Sequence, residues 1–132
     1  MIRSLSLALA LFALVSQASA ETKSLDVKAG RATGVDYFAI YGEFNCKGAQ
    51  LPKLKIKKQP SNGKIRFEKY THTFAKDSGK CAGAKIPGMV VVYTPNSGYR
   101  GNDTFTVGYS YNRYIGSGRM RQKSFRYKLK VN

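Results

Sequence analysis

The sequence predicts an all-β sandwich of about seven strands folded as one domain. Three observations predict it. Beyond the first twenty residues no segment sustains a 3.6-residue apolar period, whereas stretches such as Lys53 to Lys57 and Phe125 to Val131 alternate apolar with polar residues. Turn-forming clusters, Gln59-Pro60-Ser61-Asn62-Gly63 and Pro95-Asn96-Ser97-Gly98 among them, punctuate these stretches. The span from Glu21 to Asn132 is the length of a single domain, without an internal repeat or a separate linker.

The first twenty residues carry an export signature: a positive Arg3, an apolar run from Leu5 to Val15 and a small-residue cleavage site at Ala18-Ser19-Ala20. That run is shorter than the roughly 20 residues that span a bilayer. Residues 1–20 are therefore expected to be a signal peptide, with the mature domain over 21–132 and no transmembrane segment. Glu21, not a cysteine, stands directly after the cleavage site, which argues against a lipid anchor. The expected location is the periplasm or the cell exterior.

Along the mature chain, Leu25 to Ala29 is expected as a first strand, with a break at Gly30 to Gly34. Tyr37 to Cys46 alternates, placing Phe38, Ile40, Phe44 and Cys46 on one face and Tyr37, Ala39, Tyr41 and Glu43 on the other. Leu54 and Ile56 oppose Lys53, Lys55 and Lys57, as suits a half-solvated sheet. A turn from Gln59 leads into a strand carrying Ile65 and Phe67, and Thr71 to Gly88 reads as a long polar connection. Val90 to Tyr93 is a strand that Pro95, lacking an N–H, brings to an end. Asn96, Ser97, Gly98 and Gly101 supply turn chemistry, and Asp103 can accept from loop amides where the chain re-enters a sheet. The last two strands, Asp103 to Tyr111 and Lys123 to Val131, form a hairpin with a tip at Ile115-Gly116-Ser117-Gly118. On its second arm Phe125, Tyr127, Leu129 and Val131 face the core, and Arg126, Lys128 and Lys130 face water.

The segment from Tyr93 to Val107 resembles the signature of bacterial immunoglobulin-like and cadherin-like domains, Y-T-P-x-x-G-aromatic-x-G-x-D-x-F-x-V, nearly position for position. The P-x-N-G piece at Pro60 to Gly63 recurs in the same family. The resemblance implies an immunoglobulin-like antiparallel sandwich in which Pro95, Gly98, Gly101 and Asp103 build a structural turn and Tyr99 plugs one end. Family members often occur in tandem within long adhesins, and many bind calcium between acidic modules. This chain holds a single copy, and Asp26, Asp36, Glu43, Glu68, Asp77 and Asp103 are scattered with no D-x-D among them. Hard cations need several oxygens at one point, so neither calcium nor another metal or cofactor is expected.

Cys46 and Cys81 are the two cysteines, and in an exported protein they read as a disulfide. Their spacing is not that of a C-x-x-C redox or metal motif. Closing that loop contributes about 4 kcal/mol on the chain-entropy model.

Charge is the second strong feature. Lys and Arg total 23 against 7 acids, for +16 and a pI near 10.1. Without Arg3 the balance is 22 − 7 = +15. Such a field attracts polyanions. Two ridges concentrate it: Lys53, Lys55, Lys57 and Lys58, and then Arg126, Lys128 and Lys130, extended by Arg119, Arg121 and Lys123. A ridge of like charge costs stability unless an anion lies across it; gatekeeping against edge-to-edge pairing is the competing account. Tyr93, Tyr99, Tyr109, Tyr111, Tyr114 and Tyr127 interleave with Arg100, Arg113, Arg119, Arg121 and Arg126, a pattern able to stack on bases, although core packing claims several of them.

No catalytic constellation is visible. His72 is the single histidine, there is no G-x-S-x-G elbow, and charge pairing accounts for Arg66 and Glu68. The chain reads as a non-enzymatic binding module for an anionic envelope polysaccharide, lipopolysaccharide or host glycan. The competing readings are a basic enzyme or toxin acting on nucleic acid, and an accessory subunit docked through a sheet edge on an envelope protein.

Overall fold

Seven strands form two sheets in a computed structural model that describes residues 19–112 and 118–132. Residues 1–18 of the expected signal peptide, and Arg113, Tyr114 and most of the hairpin tip, lie outside the described residues. The strands are β1 (Glu21–Val27), β2 (Thr33–Ala39), β3 (Lys53–Lys58), β4 (Gly63–Thr73), β5 (Lys85–Pro95), β6 (Gly101–Asn112) and β7 (Met120–Val131). One sheet has the order β1-β7-β6-β3 and the other β2-β5-β4. This is an immunoglobulin-like sandwich with one disulfide.

One pairing departs from the antiparallel rule. β1 runs parallel to β7, from Glu21 beside Phe125 to Val27 beside Val131. The ladder continues beyond the strand, with the Asn132 amide donating to the Val27 carbonyl at 2.9 Å and the Ala29 amide to the Asn132 carbonyl at 2.7 Å. The constant-type immunoglobulin arrangement keeps its first strand beside the second; here it lies in the opposite sheet.

The core is aromatic. Tyr93, Phe105 and Tyr127 are fully buried, with Phe105 stacked on Tyr127 at 4.5 Å and on Tyr93 at 6.1 Å between centroids. A buried phenol needs an acceptor. The Tyr93 hydroxyl donates to Asp103 Oδ2 at 2.8 Å, and that of Tyr127 donates to Asp36 Oδ2 at 2.7 Å. Burial first, and the neighbouring carboxylate second, push both phenols far above the usual tyrosine range.

Several sequence expectations shift. The alternation from Tyr37 to Cys46 does not continue as strand: β2 ends at Ala39, and the Cys46 amide donates to the Gly42 carbonyl in a turn that leaves Phe44 94% exposed. The first strand begins at Glu21, four residues before Leu25, and Gly34 belongs to β2. The Thr71 to Gly88 connection shrinks to 74–84, because β4 and β5 pair as far as Thr73 and Lys85. Within it Cys81 is joined to Cys46, with Cα atoms 5.4 Å apart. That bridge ties the β2–β3 connection to the β4–β5 connection.

The turn signature folds as a pin between loops. Gly98 (φ 75°) and Gly101 (φ 135°) adopt backbone conformations that favour glycine, and Pro95 closes β5 opposite Gly63. Asp103 is only 4% exposed. Its carboxylate accepts from the Thr104 amide at 2.9 Å, and from Ser61 and Asn62 at 3.0 Å each, so it reaches the distant β3–β4 turn as well as its own. Tyr99 packs against the core, and its hydroxyl donates to the Asn102 carbonyl.

Candidate anion-binding face

The two basic ridges share one surface. β3 and β7 flank β6 in the four-stranded sheet, so two strand spacings, about 10 Å, separate their backbones. On β7, burial alternates strictly from Phe125 to Val131, leaving Arg126, Lys128 and Lys130 exposed on the outer side. On β3, Lys53 and Lys55 are exposed while Leu54, packed against the core, and Ile56 are half-buried. A register shift between Ile56 and Lys58 breaks the alternation, and both Lys57 and Lys58 are exposed.

Between the ridges β6 presents small residues. Lys58 lies beside Thr106, which lies beside Arg126; Lys55 lies beside Gly108, which lies beside Ser124; Lys53 lies beside Ser110. The outer face thus has a low lane of Thr104, Thr106, Gly108 and Ser110 between two cationic walls. Lys57 crosses that lane, and its Nζ donates to Ser124 Oγ at 2.6 Å. Gly108 permits the crossing, since an ideal Cβ there would stand 2.7 Å from Lys57 Cε. On the far side of β7, Thr22, Ser24 and Asp26 of β1 lie beside Arg126, Lys128 and Lys130. An open hollow of about 530 Å³ spans β7 from β1 to β6, lined by Ser24, Asn102, Thr104, Lys128 and Lys130, with Asp26 among its lining residues.

Among the described residues the ion pairs are Lys23–Asp36 and Arg66–Glu68. None of the seven cations on the outer face takes part in either. Asp26 is the one acid in register with them, and its carboxylate accepts from the Asn132 side chain.

Arg121 and Lys123 do not extend this ridge. The β6–β7 register runs unbroken from Gly101↔Val131 to Asn112↔Met120, pairing Arg121 with Tyr111 and Lys123 with Tyr109. Strand alternation therefore puts them on the opposite side from Arg126, where the sheet extends past the core. Arg119 precedes β7 and is exposed. Among the described residues the tyrosine and arginine interleaving of the final third is accordingly split between core and hairpin, and none of the described aromatics lies on the Thr104 to Ser110 lane.

No sequence pattern signals the half-buried polar cluster beside the core. The register shift between Gly34 and Asp36 brings Asp36 opposite the core residue Val91, where it accepts from Lys23 Nζ at 2.6 Å as well as from Tyr127. Lys23 Nζ also lies 4.5 Å from the Phe125 ring centroid. Arg66 and Glu68 pair with each other along β4 rather than across strands. Among the described residues no group of three or more His, Cys, Asp or Glu could hold a metal ion, and no helix is long and apolar enough to cross a membrane. The disulfide fits an oxidising compartment.

No family model matches the chain, and no curated protein matches it in sequence. Among solved structures it is similar to the cysteine protease inhibitor EhICP2 from Entamoeba histolytica, at 15% identity and a TM-score of 0.39 over 86% of this chain and 88% of that one. It is also similar to amebosin in solution, at 7% identity and a TM-score of 0.36 over 86% of this chain and 99% of that one. Likeness at that level carries no functional assignment.

Proposed function

We propose that the protein is an exported, non-enzymatic binding module that engages anionic glycans of the cell envelope or of a host through the outer face of its four-stranded sheet. The observation that carries the reading is the convergence of Lys53, Lys55, Lys57, Lys58, Arg126, Lys128 and Lys130 on one face, outside any ion pair among the described residues. Like charges held at neighbouring strand positions repel. A linear polyanion along the lane relieves that repulsion from both sides, while Thr104, Thr106 and Ser110 offer hydroxyls to its sulfate, phosphate or carboxylate groups. Among the described residues the lane has no aromatic on which a base could stack, which favours a glycan over nucleic acid. The signature around Tyr93 to Val107, with its resemblance to domains of bacterial adhesins, also supports an envelope role.

The test is titration calorimetry with heparin and with purified lipopolysaccharide as probes, at low and at physiological salt, with dextran as the uncharged control. Saturable binding that weakens as salt rises supports the proposal. No binding to either anionic probe at low salt contradicts it.

A further inference from the structure

The outer face of the three-stranded sheet carries a chemically different surface. Tyr37 on β2, Tyr41 just beyond it, Tyr70 and His72 on β4, and Phe74 just beyond it line an open groove of about 590 Å³, with Ile86 in its floor. Register explains their common side: Tyr37 lies beside Val90, Tyr70 beside Gly88 and His72 beside Ile86, all across β5. The rings pack edge to face, with Tyr37 and Tyr70 5.5 Å apart at 78°, and Tyr41 and His72 each 4.9 Å from Phe74. Gly88 makes room, since an ideal Cβ there would stand 2.4 Å from Tyr70 Cε1; the Tyr70 ring therefore lies across the central strand. Tyr37 is nonetheless 59% exposed and Tyr41 39%.

The polar tips set these tyrosines apart from Tyr93, Tyr99 and Tyr127. The hydroxyls of Tyr93, Tyr99 and Tyr127 each donate to an acceptor within the fold. Among the described residues, the side chains of Tyr37, Tyr41, Tyr70 and His72 have no such partner. An apolar protein surface laid on the groove would strand those four polar tips, each at the cost of an unmade hydrogen bond. The lining contains no Lys, Arg, Asp or Glu, on a chain of net charge +16, so a charged ligand finds no counter-charge in it. A ligand with a flat C–H face and a rim of hydroxyls satisfies both conditions: the face stacks on a ring, and the hydroxyls meet phenol and imidazole.

We propose that this groove binds an uncharged oligosaccharide, at a site separate from the basic face on the other sheet. The test is an NMR titration of the full chain with cellotetraose, maltotetraose and the N-acetylglucosamine tetramer, in about 0.5 M NaCl to screen the basic face. The expected result is a saturable shift of the Tyr37, Tyr41 and Tyr70 ring signals with at least one probe. Tyr37→Ala should weaken that binding about tenfold or more, while Tyr37→Phe, which keeps the ring, should weaken it less. The joint change of Arg126, Lys128 and Lys130 to Gln should leave it unaltered. An unchanged melting temperature for Tyr37→Phe guards against a folding defect. Three results would overturn the proposal: no saturable shift with any probe up to about 10 mM, binding that survives Tyr37→Ala, or self-association of the free protein that Tyr37→Ala abolishes.

Discussion

Asp103 accepts the Tyr93 hydroxyl at 2.8 Å on the same carboxylate oxygen, Oδ2, that receives the Asn62 amide at 3.0 Å. One buried side chain thus joins the β6 strand, the core phenol of β5 and the β3–β4 turn. Asp103→Ala strips four donors of their acceptor at once, so the expected loss of stability is about 3 kcal/mol, against about 1 kcal/mol for Tyr93→Phe. Urea denaturation of the two variants checks the order. An unchanged midpoint for Asp103→Ala would refute the structural role.

The buried phenols predict an alkaline limit. Their folded-state affinity for the proton exceeds that of the unfolded chain, so their contribution is complete below pH 10 and lost as pH rises above it. Tyr127→Phe removes one such group, and the fall in stability above about pH 10 should become shallower by up to about 1.4 kcal/mol per pH unit. At neutral pH the same change should cost about 1 kcal/mol, through the hydrogen bond lost to Asp36. Parallel slopes for the two proteins in urea titrations across this range would contradict the assignment.

The Cys46–Cys81 bridge predicts a large effect of reduction. It crosslinks two connections whose own backbone pairings, the Tyr41–Gly48 bridge in one and the Phe74–Ala84 hydrogen bond in the other, are internal to each. Removing it should destabilise by about 4 kcal/mol on the chain-entropy model, visible as a melting temperature lower by roughly 15 °C in Cys46→Ser together with Cys81→Ser. Mass analysis of the untreated protein should find no free thiol.

How much of this was legible in the sequence depends on how local each signal was. Lys53 to Lys58 and Arg126 to Lys130 were readable as solvent-facing ridges because period two is written in a few consecutive residues. Their union on one face was not, because strand order is set by non-local pairing: β3 and β7 are neighbours only through β6. The same alternation, continued through Lys123 and Arg121, turns those two away from the ridge. Phe44 misled, since apolar alternation ran on through Gly42 into a turn. Asp36 stayed hidden because a register shift, invisible as a pattern, rotates it inward to meet Lys23 and Tyr127. The aromatic groove escaped because its residues come from two strands joined only through β5.

The central claim is that two rows of cations act as one site, and the salt dependence of heparin affinity tests it most directly. Each cation that meets the polyanion releases counterions and steepens the fall of log affinity with log salt. Changing Lys53, Lys55 and Lys58 to Gln, or Arg126, Lys128 and Lys130 to Gln, should each lower the slope by about 2 to 3, and the combined variant by roughly the sum. Changing Arg121 and Lys123, on the other side of the sheet, should lower it by less than about 1. A slope that responds to one row only, or that responds to Arg121 and Lys123 as strongly as to Arg126, Lys128 and Lys130, would contradict the account.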